Sequence, residues 1–320
     1  MKGITEGSSA RTRVRSTLLR EGKMIQQTSV DEERILVTGG TGHLGRDIVS
    51  QLLDRGKRAR VLARLPGTDP SVEWARGDLS TGAGLREALA GVTTVIHAAT
   101  FSPIAQRGGI RPVDFFTTPS AVDVDGTRRL LAACRRARVR HFLHVSIVGL
   151  DGAASLPYSK VKLQGEALVR QSDLPWSVVR AGPFYYLLAR LFGGMRWMPW
   201  WILPTAVMDA VDTADVASYL IECVDDGRLG LREEIGGPAA LPLPALAREY
   251  LQARGLNRRV IGINVAPRTA ARLGFAEARG RKGVTTWREW LAANADEPKG
   301  RVRHRPLPAT AFTPNQRGAD

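Results

Sequence analysis

The sequence is poor in cysteine, with only Cys134 and Cys223 among its 320 residues. Two cysteines cannot build a disulfide framework or a Cys-rich zinc or iron–sulfur site, so we predict no metal centre. Long hydrophobic runs are also missing: the longest, residues 197–208, contains two prolines and is shorter than the roughly 20 residues that span a bilayer. The N-terminal segment lacks the apolar core of a secretory signal. These absences predict a soluble protein of a reducing compartment, the cytoplasm, without a transmembrane segment.

Positive charge is abundant but dispersed. The formal net charge is +15, and six of these charges lie in residues 1–30 and 296–320. The remainder is spread along the chain as arginines whose densest clusters, such as residues 254–259, have no interleaved aromatic residues. No helix-turn-helix or RNA-binding signature accompanies them. The charge therefore indicates a solvated basic surface, and nucleic acid is not a predicted partner.

The middle of the chain alternates short apolar strands with amphipathic helices. The pattern predicts strands at 34–38, 60–63, 71–76, 94–98, 141–145 and 176–179, and helices at 44–54, 84–90, 124–137 and 158–171. Repeated β–α units are typical of an α/β fold with a doubly wound parallel sheet. We expect this domain over residues 34–180 and a smaller substrate lobe over 181–295, with segments returning to the sheet. Residues 1–33 and 296–320 are polar and are expected to be disordered tails.

A glycine-rich loop follows the first strand and precedes the first helix. This strand–loop–helix context is the one that a dinucleotide-binding loop requires, although a glycine turn without a ligand is the alternative. Gly39 permits a tight turn, Gly42 lets the backbone approach a pyrophosphate, and Gly45 lets the helix pack against the strand. The first backbone N–H groups of the helix would face the phosphates. The predicted cofactor-binding residues of the loop are Gly39, Thr41, Gly42, His43, Leu44 and Gly45.

The end of the second strand bears on the choice between the two nicotinamide cofactors. NAD sites usually place an acidic residue about 20 positions beyond the glycine loop, where it binds the ribose. Here Arg64 follows the strand and no acidic residue is adjacent to it. A guanidinium suits a 2′-phosphate. We therefore predict NADP, with NAD as the alternative cofactor and a solvated surface arginine as the competing interpretation.

Two later strand ends extend the predicted cofactor site. Asp78 and Leu79 follow the third strand, where the carboxylate of Asp78 can accept a hydrogen bond from the adenine amino group. Ala98 and Ala99 follow the fourth strand, and their small side chains leave room for the adenosine ribose. Either segment alone is also compatible with an ordinary turn, but both occur in the order that the site requires.

Three residues form a candidate catalytic set. Ser146 lies at the end of the fifth strand, Tyr158 lies twelve residues later, and Lys162 follows four residues beyond it on the same helix face. A phenol with a pKa of about 10 is a poor acid or base at neutral pH unless a nearby ammonium stabilises the phenolate. We expect Lys162 to lower the pKa of Tyr158 and to hold the nicotinamide ribose. Tyr158 would donate a proton to a carbonyl oxygen that Ser146 also binds.

Together these segments resemble the short-chain dehydrogenase/reductase superfamily, and in particular its atypical branch of NmrA-like, epimerase-like NAD(P)H-binding proteins. The resemblance covers about residues 34–293. It implies a Rossmann-type domain with a small C-terminal lobe over the nicotinamide. Residues 173–183 resemble the segment that leads into that lobe, which adds Pro183 to the predicted cofactor-binding residues. The segments that carry the resemblance are Thr38–Gly45, Arg64, Gly77–Leu79, His97–Ala99, Asp125–Thr127, Ser146, Tyr158 and Lys162.

The sequence departs from the family pattern at two positions. Asp123 stands where extended members have an asparagine, and Ile147 follows Ser146 where a second serine occurs in relatives. In the atypical branch the tyrosine and lysine can serve cofactor binding alone, and some members are cofactor-sensing regulators. The role of Asp123 is therefore open at the level of sequence.

Aromatic residues crowd the start of the C-terminal lobe, between Phe184 and Trp201. Ordinary core packing at helical spacing is one interpretation, and an apolar substrate pocket or a surface that contacts a membrane or partner is another. We expect an NADP-dependent oxidoreductase that acts on a small apolar carbonyl or quinone, with Tyr158 as the acid/base. The alternatives are a non-catalytic NADP(H)-sensing regulator that binds a protein partner, and an NDP-sugar epimerase or dehydratase.

Overall fold

The computed structural model describes residues 33–100 and 120–295. Contacts between residues divide the chain after Glu33, and the unit that carries the predicted site begins at Arg34. Apart from Glu33, the two predicted tails lie outside the described residues.

The described elements alternate as the sequence predicts. The strands are β1 (Arg34–Thr38), β2 (Arg58–Ala63), β3 (Glu73–Arg76), β4 (Thr94–His97), β5 (His141–Ile147), β6 (Trp176–Ala181), β7 (Trp200–Pro204), β8 (Val207–Met208), β9 (Gly230–Leu231), β10 (Glu234–Gly236), β11 (Leu241–Pro242), β12 (Arg259–Ile263) and β13 (Gly280–Lys282). The helices are α1 (His43–Asp54), α2 (Leu85–Ala88), α3 (Thr127–Arg136), α4 (Pro157–Arg170), α5 (Tyr185–Met195), α6 (Thr213–Asp225), α7 (Leu243–Ala253), α8 (Pro267–Arg272) and α9 (Trp287–Ala293).

Nine of these strands form one parallel sheet. Its order is β13-β10-β6-β5-β4-β1-β2-β3, and β9 also pairs with β6. Strands β3 to β6 follow the order 3-2-1-4-5-6 that defines the Rossmann-type doubly wound fold. The predicted α/β fold class is confirmed. Two further pairs stand apart from this sheet, the parallel pair of β7 with β12 and the antiparallel pair of β8 with β11.

Helices cover both faces of the sheet, and the strands are apolar at successive positions for that reason. Ile35, Leu36 and Val37 are all fully buried. Because neighbouring strand residues point to opposite faces, Val37 packs in the core under α1 and α6, whereas Leu36 packs in the core that includes residues of α2, α3 and α4.

A third hydrophobic core lies within residues 185–291 and is rich in aromatic rings. Phe192 stacks on Trp201 with ring centroids 5.5 Å apart, and Trp287 stacks on Trp290 at 5.4 Å. Stacked and tilted pairs of this kind add to the stability that burial of the rings provides. The predicted interpretation of the aromatic residues between Phe184 and Trp201 as core therefore holds for Phe192 and Trp201.

The helix predicted over residues 124–137 differs from the observed structure. A π-helical segment, Ala121–Gly126, comes first, and the regular helix α3 starts only at Thr127. A Cβ atom on Gly126 would lie 3.1 Å from Leu79 Cβ, so glycine allows the segment to pack against the turn after β3. The π-helical segment carries Asp123 into the interior, and such segments are frequent at functional sites.

Strand β5 is longer than predicted. It ends at Ile147, so Ser146 lies inside the strand, one residue before its end. None of the described helices is both long and apolar enough to cross a membrane.

Candidate active site

The predicted glycine loop and the predicted Ala98 and Ala99 meet at the carboxyl ends of β1 and β4. These two strands are neighbours, and β1 is also the strand at which the order of the sheet reverses. In open α/β sheets the crevice at such a reversal is where ligands bind. Thr38 and His97 end the two strands and lie in register with each other.

The glycine loop touches the segment after β4. Gly39 has a φ of +74°, and a Cβ atom there would lie 2.8 Å from the backbone nitrogen of Ala99 and 2.9 Å from the carbonyl of Ala98. A Cβ on Gly45 would lie 2.1 Å from the carbonyl oxygen of Gly39. Any larger residue at either position would therefore separate the loop, the helix and the β4 end, which supports the prediction that these segments form one site.

The start of α1 has no side-chain cap. Gly42 is the N-cap residue, no acidic residue lies in the first turn, and the Gly42 N–H donates to Gly39 O over 2.9 Å. The exposed Thr41 precedes this N-cap, and Leu44 is buried beneath the helix. Helix N-terminal N–H groups that no side chain covers are suited to bind phosphate.

The two polar residues predicted for the adenosine half lie near each other. Arg64 is exposed directly after β2 and forms no ion pair with any described residue. Asp78 Oδ1 accepts hydrogen bonds from the backbone N–H and the hydroxyl of Ser80, at 2.8 and 2.7 Å. These bonds, together with the nearby Arg64 charge, lower the pKa of Asp78 despite partial burial, so it is ionised at neutral pH. Leu79 is buried against Gly126.

A fully buried histidine ties the end of β4 to its neighbours. The Thr127 hydroxyl donates to Asp123 O over 2.9 Å, so it accepts from His97 Nε2 at 2.9 Å. Nδ1 of the same ring then accepts from Thr38 Oγ1 at 2.7 Å. Burial, and then the His144 ring, hold the pKa of His97 well below its usual range. His97 is therefore neutral and orders the backbone that leads into Ala98.

The predicted Lys162 lies in a buried ion pair. Its Nζ donates to Asp123 Oδ1 and to Thr100 Oγ1, both at 2.7 Å, and Thr100 Oγ1 donates to the same carboxylate oxygen at 2.7 Å. Burial alone would lower the pKa of Lys162, but the Asp123 carboxylate raises it above its usual value. Lys162 is therefore charged, and its position is set by the π-helical segment that contains Asp123.

The predicted Tyr158 and Lys162 do lie together. Lys162 Nζ is 5.9 Å from the centroid of the Tyr158 ring. Lys162 lowers the pKa of Tyr158 as expected, but the net shift is upward, because burial raises this pKa by more and the Asp123 carboxylate adds to the rise. Tyr158 is therefore a protonated phenol at neutral pH.

Two buried polar side chains on β5 have no hydrogen-bond partner within the described residues. They are Ser146, through Oγ, and His144, through both ring nitrogens. Alternation along β5 places both on the sheet face of Phe142, which α4 helps to cover. Burial and then the charge of Lys162 lower the pKa of His144 to about 3, so its ring is neutral. Buried polar atoms without partners mark a place where a ligand group can bind.

Tyr186 of α5 connects the segment after β6 to the glycine loop. Its ring stacks on His43 with centroids 3.9 Å apart and an interplanar angle of 19°. Burial, followed by the nearby Tyr158, raises the pKa of Tyr186 to about 12. The backbone of Pro183, which precedes α5, accepts a hydrogen bond from Val211 N at 3.0 Å. The sequence analysis identified this aromatic cluster but did not identify Tyr186 as its member that contacts the glycine loop.

Sequence reasoning missed Thr100, Asp123, His144 and Tyr186 as members of this site. Asp123 carried a signal, because it replaces a family asparagine. His144 carried no such signal, because a histidine in an apolar strand has no sequence pattern of its own.

The strand order and the glycine loop at its reversal define a Rossmann-type dinucleotide-binding protein. The sequence matches the family of NAD(P)H-binding proteins over residues 39–227, more than half of the chain, and the chain belongs to that family. It is thereby a member of the atypical, epimerase-like part of the short-chain dehydrogenase/reductase superfamily.

Two curated relatives and one solved structure illustrate the range of similar proteins. The chain is 31% identical over 197 residues to the photosystem II assembly factor Ycf39 of Trieres chinensis, an alignment that covers 58% of each chain. It is 36% identical over 138 residues to a 3 beta-hydroxysteroid dehydrogenase/Delta 5-->4-isomerase of Mycobacterium tuberculosis, covering 39% of this chain and 37% of that protein. The chain thus spans less than two thirds of the length of either relative.

The solved structure is that of MoeE5 in complex with UDP-glucuronic acid and NAD. Its TM-score is 0.63 at 22% identity, and the alignment covers 82% of this chain and 97% of the other. This likeness supports the fold.

Proposed function

We propose that the protein is an NADP-dependent oxidoreductase that reduces a small apolar carbonyl or quinone. The observation that carries the proposal is the protonated Tyr158 phenol beside the buried ammonium of Lys162, together with a buried Ser146 hydroxyl that has no hydrogen-bond partner among the described residues. This set contains a proton donor, a fixed positive charge and a hydrogen-bond donor for the carbonyl oxygen.

The residues present fit a nicotinamide dinucleotide. Positions 39 and 45 have no room for a Cβ, so glycine there permits the tight loop and its packing against α1, whose N-terminal N–H groups have no side-chain cap and can face a pyrophosphate. Arg64 is free of described ion pairs and suits a 2′-phosphate. When bound, the reduced cofactor supplies a hydride to the carbonyl carbon.

The chain's own residues would then handle the proton. Tyr158 donates its hydroxyl proton to the carbonyl oxygen as negative charge develops there, which its raised pKa permits because the phenol is protonated before the reaction. Ser146 Oγ donates a hydrogen bond to the same oxygen. Lys162 stabilises the resulting phenolate, and Asp123 keeps the ammonium charged.

Two features favour an apolar substrate. Phe184 and Tyr186 stack with ring centroids 5.9 Å apart at the start of the lobe, and both rings are partly accessible. One relative is named as a hydroxysteroid dehydrogenase and another, from Methylococcus capsulatus, as a sterol demethylase protein. Apolar rings beside a few placed polar groups are typical of pockets for such ligands.

A second candidate function is that of a non-catalytic NADP(H)-sensing protein. The buried pair of Asp123 with Lys162 favours it, since Asp123 opposes part of the lowering of the Tyr158 pKa by Lys162. The relative named as an assembly factor is in keeping with such a role. On this alternative, Tyr158→Phe leaves cofactor affinity and the cellular role intact.

The first experiment titrates the purified protein with NADPH and with NADH and follows nicotinamide fluorescence. We expect tighter binding of NADPH and a loss of that preference in Arg64→Ala. The matched control is Arg58→Ala, which removes an exposed arginine from the opposite end of β2. Equal binding of both cofactors by the wild type would contradict the NADP assignment, and binding of neither would refute the oxidoreductase.

A screen of ketones, aldehydes and quinones follows, with NADPH oxidation as the readout. Tyr158→Phe and Ser146→Ala are expected to reduce turnover by about 10²-fold or more while NADPH still binds. Tight binding of NADPH without turnover of any compound by the wild type would favour the sensing alternative. A purified protein that retains tightly bound NAD and shows no net oxidation or reduction of cofactor would favour an epimerase.

A further inference from the structure

Strands β7 and β12 form a parallel ribbon whose two faces differ. Their register pairs Trp200 with Arg259, Ile202 with Ile261, and Pro204 with Ile263. Residues in register point to the same side, and the intervening Trp201 and Leu203 point to the other. Those two are buried in the aromatic core, so the ribbon is anchored through one face only.

The opposite face is apolar and exposed. We call it the ribbon face and define it by Trp200, Ile202, Ile261 and Ile263. Their exposed fractions are 59%, 58%, 47% and 52%, and Trp197, just before β7, is 76% exposed. Single exposed apolar residues are ordinary on protein surfaces, but here Ile202 and Ile261 are in register and Trp200 and Ile263 lie next to them on the same face, so that the four form a patch suited to a binding partner.

The charged residues of the two segments that carry the ribbon face are all basic. Residues 187–208 and 250–276, which include both strands, contain seven arginines and no aspartate, glutamate or lysine. Arg196 and Arg259 are exposed. Arg258 Nε donates to the Arg196 carbonyl over 3.0 Å, which holds basic residues of the two segments together at one end of the ribbon.

We propose that the ribbon face docks on the surface of an anionic lipid bilayer. Tryptophan and isoleucine side chains enter the boundary between headgroups and acyl chains, and arginines beside them contact anionic headgroups. A second copy of this chain is a poorer occupant, because symmetric pairing would bring the arginines of both copies together without any acidic partner from these segments. The inference does not depend on the proposed oxidoreductase activity.

The test measures binding of the full chain to vesicles of phosphatidylcholine and to vesicles of equimolar phosphatidylcholine and phosphatidylglycerol, by flotation. We expect binding to the anionic vesicles that weakens with salt, because the arginines supply part of it. Ile202→Ser with Ile261→Ser should weaken that binding by about tenfold or more, since two aliphatic side chains no longer leave water. The basic residues within 1–30 remain in every variant, so a loss of binding is assigned to the ribbon face.

The matched control is Leu229→Ser with Leu231→Ser, which removes two exposed aliphatic side chains at β9. It should bind as the wild type does. Tryptophan fluorescence provides a second readout: acyl-chain-brominated lipids should quench the wild type, and the quenching should fall in Trp197→Phe with Trp200→Phe. Thermal melts of all variants establish that they are folded.

Three outcomes would overturn the proposal. The first is no vesicle binding by the wild type. The second is equal loss of binding in the ribbon-face variant and in the β9 control. The third is a ribbon-face variant that binds vesicles as the wild type does but is a monomer where the wild type is an oligomer. That result would assign the face to a second copy of the chain.

Discussion

Lys162 and Asp123 form a buried ion pair at 2.7 Å, and each residue is only 5% exposed. They come from different elements, α4 and the π-helical segment before α3. The carboxylate keeps Lys162 charged, and it adds to the rise that burial causes in the pKa of the nearby Tyr158 phenol. An asparagine at position 123 would preserve the shape and remove this effect.

Asp123→Asn should therefore lower the pKa of Tyr158. Without the carboxylate, the ammonium of Lys162 acts on the phenol unopposed until Lys162 itself loses its proton, and burial makes that loss easier. The measurement is the tyrosinate absorbance titration of the variant and the wild type, each taken as the difference from the same protein with Tyr158→Phe. The decline in turnover with NADPH at alkaline pH should begin at a lower pH in the variant than in the wild type.

The control for that experiment is Asp125→Asn, which removes a carboxylate two residues away that pairs with Arg128 on the surface. It should leave the titration of Tyr158 unchanged. An unaltered Tyr158 titration in Asp123→Asn would show that the ion pair does not control the phenol.

Tyr186→Ala should weaken NADPH binding by roughly two- to tenfold. The ring of Tyr186 stacks on His43 in the glycine loop, and an aromatic pair contributes about 0.5–1.5 kcal/mol beyond the burial of its area. The measurement is the fluorescence titration with NADPH. Tyr186→Phe retains the ring and should bind like the wild type. Tighter binding by Tyr186→Ala would instead mean that the stack must break for the cofactor to enter.

Glu166→Ala should strongly destabilise the fold. The Glu166 carboxylate is almost fully buried and accepts two hydrogen bonds from Arg180, at 2.9 and 2.8 Å. Arg180 keeps its ion pair with the exposed Asp151, at 2.7 Å, so the loss of Glu166 should cost about 2–3 kcal/mol, less than the roughly 3–5 kcal/mol of a buried charge left without any partner. Urea denaturation measures the free energy of unfolding.

The comparison for Glu166→Ala is Asp173→Asn, which breaks the pair of Asp173 with Arg135. Both of these side chains are more than 70% exposed. The loss should be at most about 1 kcal/mol, since solvent and salt screen such pairs. Similar losses in the two variants would contradict the importance of burial.

Asp212→Asn should stabilise the protein above pH 6. Burial, and then the nearby Asp47, raise the pKa of Asp212 to about 6. The unfolded chain has a pKa of about 3.9, so the folded state binds the extra proton and its stability falls as the pH rises from about 4 to 6. Above that range the wild type should be less stable than the variant by up to about 3 kcal/mol.

The measurement is the free energy of unfolding at several pH values between 4 and 8. Asp54→Asn changes an exposed carboxylate at the end of α1 and should keep the pH dependence of the wild type. If Asp212→Asn retains the full pH dependence of the free energy of unfolding, that dependence belongs to another titrating group.

The sequence by itself determined the local parts of the site. The glycines at 39 and 45 could be identified because the strand, the loop and the helix are consecutive, and each needs a specific backbone geometry. The alternation of strands and helices follows from hydrophobic periodicity. The neighbourhood of Tyr158 and Lys162 follows from the helical repeat alone.

The tertiary structure decided which distant residues meet and how they ionise. Asp123 reaches Lys162, and Tyr186 reaches His43, only because the strand order brings their elements to one edge of the sheet. The net pKa shift of Tyr158 is upward although Lys162 lowers this pKa, because burial and a carboxylate 35 positions away in the sequence act in the opposite direction. Periodicity sets which face a residue occupies, whereas burial and long-range charge arise only when the elements pack together.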